Sequence, residues 1–499
     1  MKRGLAIVTL ATLLPLGLRA QQSAVSPAFM DQPPVPGPAP FYTPPSSQVD
    51  QLPNGLRVVV VQDARFPLIT VRLALRAGVS RLTPASAGLA SAEADLLTAG
   101  TSSRSALEIA EQLDAMGGDL SAHVDQDFLT FNAYALSNHA RDLFELLSDV
   151  VLHPSFPESE VALEKANLLQ ALRAHRADAG FLAAVQFNHL LFGESPYAIT
   201  APTPDSIARL SRAAFEDFHR QYFLPNNQAE VVVVGDIPAA RAHNLVQQYF
   251  GDWRLGSPSP PPSPLVANPP ATRIYLVERP DSDQSTILLG NLGLTRTSPG
   301  YFPFRVANEV LGGSFNSRLI ADLREARGWV YGISSFNAPY RDLGAWMVST
   351  QVRTAVTAPA VKQILAQLDK IRSGPVSAGE LSQAQNYLSG IFVLGLQTQA
   401  ALADAMLTPG LYGVPRDWLV SYVGNIRSVT AAAALAAAQQ IIQPAHLVIV
   451  VVGDVNKIEA SLANLVPGTT LPIFDATGKR VGSYPPEGPA RGRGQLIGR

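Results

Sequence analysis

The sequence predicts an α+β protein of two similar halves, each a mostly antiparallel sheet covered by helices, joined by a proline-rich linker. Three observations carry that prediction. Runs rich in β-branched residues are interleaved with helical patterns, which favours a mixed layout over an all-helical or all-strand one. Two of the runs, AEVVVVGDI (229–237) and LVIVVVGDV (447–455), end in the same Gly-Asp pair near the close of each half, and each has a helix-like stretch before and after it. Between the halves lies SPSPPPSPLVANPP (257–270), whose prolines favour a semi-rigid extended chain.

Taken in order, the chain opens on Met1-Lys2-Arg3, an apolar run GLAIVTLATLLPLGL and RAQQ with Ala20 at a plausible cleavage point. This reads as a signal peptide over 1–20, so the expected location is outside the cytoplasm, periplasmic in a Gram-negative host and otherwise secreted. No later segment reads as a membrane span. A proline-rich leader follows over 21–47. The N-terminal domain, 48–256, begins with the strands LRVVVVQDA and LITVRLALRAG. A capping box from Ser105 to Glu108 opens a helix that carries Leu107, Ala110 and Leu113 and stops at Gly117-Gly118. LTFNAYAL alternates as a strand, and 157–176 is a long helical pattern. The linker, 257–270, leads to a C-terminal domain over 271–470, and 471–499 is expected to be a disordered tail.

Composition narrows the functions. A chain of 499 residues with 47% hydrophobic content has room for about two to four domains. Lysine plus arginine, 38, nearly balance aspartate plus glutamate, 40, so nothing in the net charge of -2 favours a nucleic acid or an anionic membrane. With no cysteine, disulfides, thiolate metal sites and cysteine nucleophiles are all excluded.

The stretch GLASAEADLLTAGT (88–101), together with LPNGLRVVVVQDARFPLITVRLALRAG, LDAMGGDLSA and the Gly-Asp strand end, resembles the insulinase/pitrilysin-type zinc metallopeptidases over about 51–467. The resemblance implies two homologous metallopeptidase-like domains. It also implies an inverted zinc motif, His-x-x-Glu-His, within a frame that this chain keeps as Gly88-Leu89-Ala90 and Gly100-Thr101. The chemistry is missing from the frame. The first histidine falls at Ser91, the glutamate at Ala94, the second histidine at Asp95, and a third ligand, a glutamate further on, at Ala171.

On a helix, positions 91 and 95 share one face a turn apart, with 94 beside them. A catalytic zinc needs about three protein ligands and a base for its water, and of these four residues only Asp95 could touch a metal. No metal is therefore expected on this chain, and zinc is expected on a partner. A replacement site built from His123, Asp125 and Asp127, which period-two spacing would put on one strand face, is the alternative to an exposed polar edge. Ser91 and Asp95 lack a nearby histidine to act as a nucleophilic pair, and the remaining histidines show no paired metal spacing.

In the second half, GGSFNSRLIADLREARGWVYGISS (312–335) resembles the family's substrate-binding segment, in which an arginine and a tyrosine seven residues apart reach the active site. Arg324 and Tyr331 match that spacing. A guanidinium fork and a phenol can both donate to a peptide carbonyl or to the oxyanion it becomes. The competing reading pairs Arg324 with Glu325 and half-buries Tyr331. The resemblance thus implies a non-catalytic subunit that binds unfolded or short peptide and pairs, as a heterodimer, with an active zinc peptidase chain. A purely structural subunit and a peptidase with a relocated metal site are the alternatives.

Overall fold

The computed structural model describes residues 43–260 and 265–485. The expected signal peptide and most of the expected leader lie outside the described residues. The first sheet contains β1 (Ser47–Gln51), β2 (Arg57–Gln62), β3 (Leu68–Leu75), β4 (Asp119–Val124), β5 (Leu129–Leu136) and β6 (Glu230–Gly235), in the order β1-β2-β6-β3-β5-β4. The second contains β7 (Arg273–Glu278), β8 (Gln284–Leu292), β9 (Val330–Pro339), β10 (Gly344–Arg353), β11 (Val448–Gly453), β12 (Leu471–Phe474) and β13 (Arg480–Tyr484), in the order β13-β12-β7-β11-β8-β10-β9.

The repeat is visible in this topology. Strands β2-β6-β3-β5-β4 of the first half correspond to β7-β11-β8-β10-β9 of the second. In each half the Gly-Asp strand runs parallel to one neighbour, β2 or β7, and antiparallel to the other, β3 or β8. Gly235, at the end of β6, has a φ of 156°, and a side chain there would run into the Leu68 carbonyl. A glycine is the residue that such a close approach requires.

All six residues of β6 and all six of β11 are buried, because both faces of each sheet are covered. One face packs on helices of its own half. The other receives a helix from the opposite half. Val59, Val61, Val232 and Val234 share a core with Leu402, Met406 and Leu407 on helix Gln399–Tyr412. Reciprocally, Leu182, Phe187 and Leu191 of helix Ala179–Phe192 pack on Val448, Val450 and Val452. Each such side chain removed from water contributes about 1.5–3 kcal/mol, so the exchange makes the halves one cooperative unit. The described ends of the linker are pinned. The Ser259 carbonyl accepts from Arg81 Nη1 at 2.8 Å, and the Pro269 carbonyl meets His446 Nδ1 at 2.9 Å.

The expected tail begins too early. Residues 471–484 form the hairpin β12-β13, which extends the second sheet beyond β7, and 486–499 lie outside the described residues. Polar residues and prolines hide this strand pair, since an edge hairpin needs only part of one face to be apolar. Among the described residues no single helix is long and apolar enough to cross a membrane.

Candidate functional site

Helix Leu89–Leu96 starts at Gly88, whose φ of 92° and contact with Pro202 leave no room for a side chain. Its small apolar residues Ala90, Ala92 and Ala94 are buried, and Ser91 and Asp95 stand exposed one turn apart on the outer face. The helix lies beside β4, the edge strand of the first sheet, and helix Glu158–His175 packs against it. Ala171 is exposed on that second helix.

Glu164, seven residues before Ala171 and so on the same face of its helix, feels the charge of Asp95. Partial burial, followed by the Asp95 charge, pushes the Glu164 carboxyl up to about 7, with a hydrogen bond involving Asn167 opposing the shift. Burial also raises Asp95. Glu164 escaped the sequence reading because its relation to Asp95 is tertiary; the available signal was its two-turn spacing from Ala171.

These donors do not fit a catalytic zinc. Two carboxylates and a serine hydroxyl stand where about three firm ligands and a base are needed. Among the described residues no group of three or more histidine, cysteine, aspartate or glutamate side chains is placed to hold a metal. Glu93, next to Ala94, does not substitute for the base. It points into the core with no exposure and neither carboxylate oxygen partnered, and burial holds its pKa well above the usual range.

The structure brings Arg324 and Tyr331 together. Tyr331 sits on β9, the edge strand of the second sheet, and is 92% exposed. An irregularity in the β9–β10 register between Thr350 and Val352 interrupts the alternation there, leaving Tyr331 and Gly332 both outward. The Arg324 guanidinium lies 5.6 Å from the Tyr331 ring centre and 4.9 Å from that of exposed Phe315, so it is held between two aromatic faces. It also pairs with Glu325 at 3.6 Å. Arg324 thus neighbours Tyr331 and also pairs with Glu325, whereas Tyr331 is exposed rather than half-buried.

His123, Asp125 and Asp127 do not converge. Strand β4 ends at Val124, so only His123 belongs to it, and the period-two argument fails at the turn. Asp125 accepts the Asp127 and Phe128 amides at 2.7 and 2.8 Å, which makes it the cap of its own turn. Asp127 is buried and joins the two halves. Its Oδ1 accepts the Tyr197 hydroxyl at 2.5 Å and its Oδ2 the Arg341 amide at 2.8 Å. Tyr197 stacks on Tyr340 at 5.2 Å, and Arg76 pairs with Asp342 in the same clasp.

Comparison with known proteins identifies the family. Residues 57–190 match the model of the insulinase family (peptidase family M16), and 209–388 match that of the peptidase M16 inactive domain. The chain belongs to the insulinase family. Relatives include an uncharacterized zinc protease of Streptomyces coelicolor, 27% identical over 71% of this chain and 78% of its own length. Another, from Bacillus subtilis, is 23% identical over 69% of this chain and 83% of its own. A crystal structure of a peptidase M16 inactive domain from Pseudomonas fluorescens superposes with a TM-score of 0.76 at 25% identity, covering 82% of this chain and 98% of that one. A Helicobacter pylori protease has the same fold, with a TM-score of 0.77 at 18% identity, over 82% of this chain and all of that one.

At the positions where the resemblance leads one to expect zinc ligands and base, this chain carries Ser91, Ala94, Asp95 and Ala171. Helix Leu89–Leu96, which bears the first three, and its flanking elements are formed.

Proposed function

We propose that this chain is a non-catalytic insulinase-family subunit that holds extended peptide and completes the chamber of a zinc-bearing partner chain. The observation that carries the reading is the pairing of a donor-poor helix, Leu89–Leu96, in one half with an outward-facing Tyr331 and its partly exposed neighbour Arg324 in the other. Two edges suit an extended peptide. Strand β4 borders the degenerate helix and β9 carries Tyr331, and an unpaired strand edge offers backbone hydrogen bonds to an added strand. Metal and base belong to the partner; Arg324 and Tyr331 donate to the peptide carbonyl. The signal at 1–20 makes this an exported pair, periplasmic in a Gram-negative host, which N-terminal sequencing of the mature chain in cell fractions checks.

The test is steady-state cleavage of a quenched fluorescent peptide by the reconstituted pair. Arg324→Ala and Tyr331→Phe should leave the complex intact on size-exclusion chromatography and slow cleavage by ~10²–10³-fold, the low end applying to solvated donors. A loss in kcat marks bonds that tighten in the transition state, and a rise in KM marks bonds that only hold the peptide. The Arg324–Glu325 pair favours a purely structural subunit as the second reading, and unchanged kinetics in both variants would select it. A relocated metal site loses its support, because the Asp127 carboxylate is committed to the clasp.

A further inference from the structure

Arg324 has two aromatic neighbours, of which the subunit reading uses only Tyr331. The other is Phe315, 74% exposed, whose ring centre lies 4.9 Å from the guanidinium, closer than the 5.6 Å of Tyr331. The turn that carries Phe315 is pinned on both sides. Before it, helix Tyr301–Asn308 continues into a π-helical turn, Glu309–Gly313, that packs beside β9. A side chain at Gly312 would run into Ser335 of β9, and one at Gly313 into the Glu309 carboxylate, which is buried in a pocket beside β9 with its Oε1 unpartnered. Ser314 hydrogen-bonds the same carboxylate. After it, Ser317 is buried, and Arg318 makes two bonds, at 2.7 and 3.0 Å, to Glu380 on helix Ala378–Leu394. The exposed Phe315 ring is therefore held on a frame fixed to β9, the strand that carries Tyr331.

We infer that Phe315 is a positioning residue, whose ring fixes the Arg324 guanidinium beside Tyr331, where a peptide carbonyl can be reached. The inference rests on the subunit reading of Arg324. A long arginine side chain samples many rotamers, and a peptide that binds a disordered one must meet the entropy of ordering it. Of the groups that could order it beforehand, Glu325 is the weaker. It is 67% exposed, its Oε1 lies 3.6 Å from Nε, beyond hydrogen-bond distance, and a solvent-exposed pair of this kind contributes little. A ring face attracts the cation without using up an N–H, so the guanidinium keeps its donors for a carbonyl. An extended peptide seated over the two rings also excludes water from them, which strengthens that attraction.

The test is a double-mutant cycle in the reconstituted pair, read as steady-state cleavage of the quenched fluorescent peptide. Phe315→Ala, at an exposed position, should leave the complex and its thermal midpoint unchanged and lower kcat/KM by about 3- to 30-fold. Phe315→Leu, which keeps the bulk but not the ring, should lose as much, and Phe315→Tyr should restore most of the rate. In the Arg324→Ala background, adding Phe315→Ala should cost less than about 2-fold, since no guanidinium is left to position. An undiminished loss in that background, Phe315→Leu performing as well as Phe315→Tyr, or an unchanged rate in Phe315→Ala each overturns the inference. Those outcomes leave a loss in Arg324→Ala, and with it the subunit reading, in place. An unchanged rate in Arg324→Ala instead removes that reading, and the positioning role of Phe315 falls with it.

Discussion

In the first half, helix Leu89–Leu96, edge strand β4 and helix Glu158–His175 surround Ser91, Asp95 and Glu164. In the second, helix Tyr301–Asn308 with its π-helical continuation, edge strand β9 and helix Ala378–Leu394 surround Glu309, and Arg324 and Tyr331 stand alongside. The scaffolds correspond, but the first keeps a regular helix with weak donors facing out. The second departs from regular helix twice, at Glu309–Gly313 and Ile320–Ala326, and keeps its charged groups in a pocket and on an aromatic shelf. Duplication copied the strands and their order without copying the chemistry, because packing constrains the core while site residues need only fit the surface.

Four measurements sharpen or break this contrast. The largest effect is expected where the halves exchange helices. Phe187→Ala empties a fully buried position against the second sheet and should cost about 3–5 kcal/mol, read as a shift in the denaturation midpoint at constant m-value. Separate transitions for the two halves in the unsubstituted chain would contradict the single cooperative unit.

Restoring the first site tests whether only donors are missing. Ser91→His, Ala94→Glu and Asp95→His together should bind zinc weakly, and adding Ala171→Glu should tighten it by ~10-fold or more, measured by competition with a chromophoric chelator. Full metallation of the triple variant would show that position 171 is not the third ligand.

The clasp comes next. Asp127→Asn replaces a carboxylate that accepts from Tyr197 and from the Arg341 amide, and should cost about 2 kcal/mol by chemical denaturation. A cost near zero would mean that the helix exchange alone holds the halves together.

The smallest effect depends on pH. Glu164 has a folded pKa of about 7, above the ordinary 4.5, so the folded state holds its proton more tightly. Its contribution to stability is complete below about 4.5 and is lost as the pH rises through 7. Above that, the ionised carboxylate beside Asp95 opposes folding. Glu164→Gln should therefore stabilise the protein at pH 8 by about 1 kcal/mol, after allowance for solvent screening, and have little effect at pH 4. A gain at pH 4 and none at pH 8 would place the carboxylate away from Asp95.

Much of this was determined by the sequence alone. The β-branched runs identified β2, β3, β6 and β11, and the Ser105 capping box began a helix at Ala106. The 3.6-residue pattern located helix Glu158–His175, and the small-residue frame from Gly88 to Thr101 located helix Leu89–Leu96. Such features depend on neighbours a few residues away, and local propensity and side-chain periodicity encode them. Only the tertiary structure decided that each half lends a helix to the other's sheet, that Glu164 lies near Asp95, that Asp127 closes a clasp rather than a metal site, and that Glu309 lies buried with one carboxylate oxygen unpartnered. Each of these depends on which distant segments meet, and therefore on burial and charge contributed by residues hundreds of positions away, which no local pattern records.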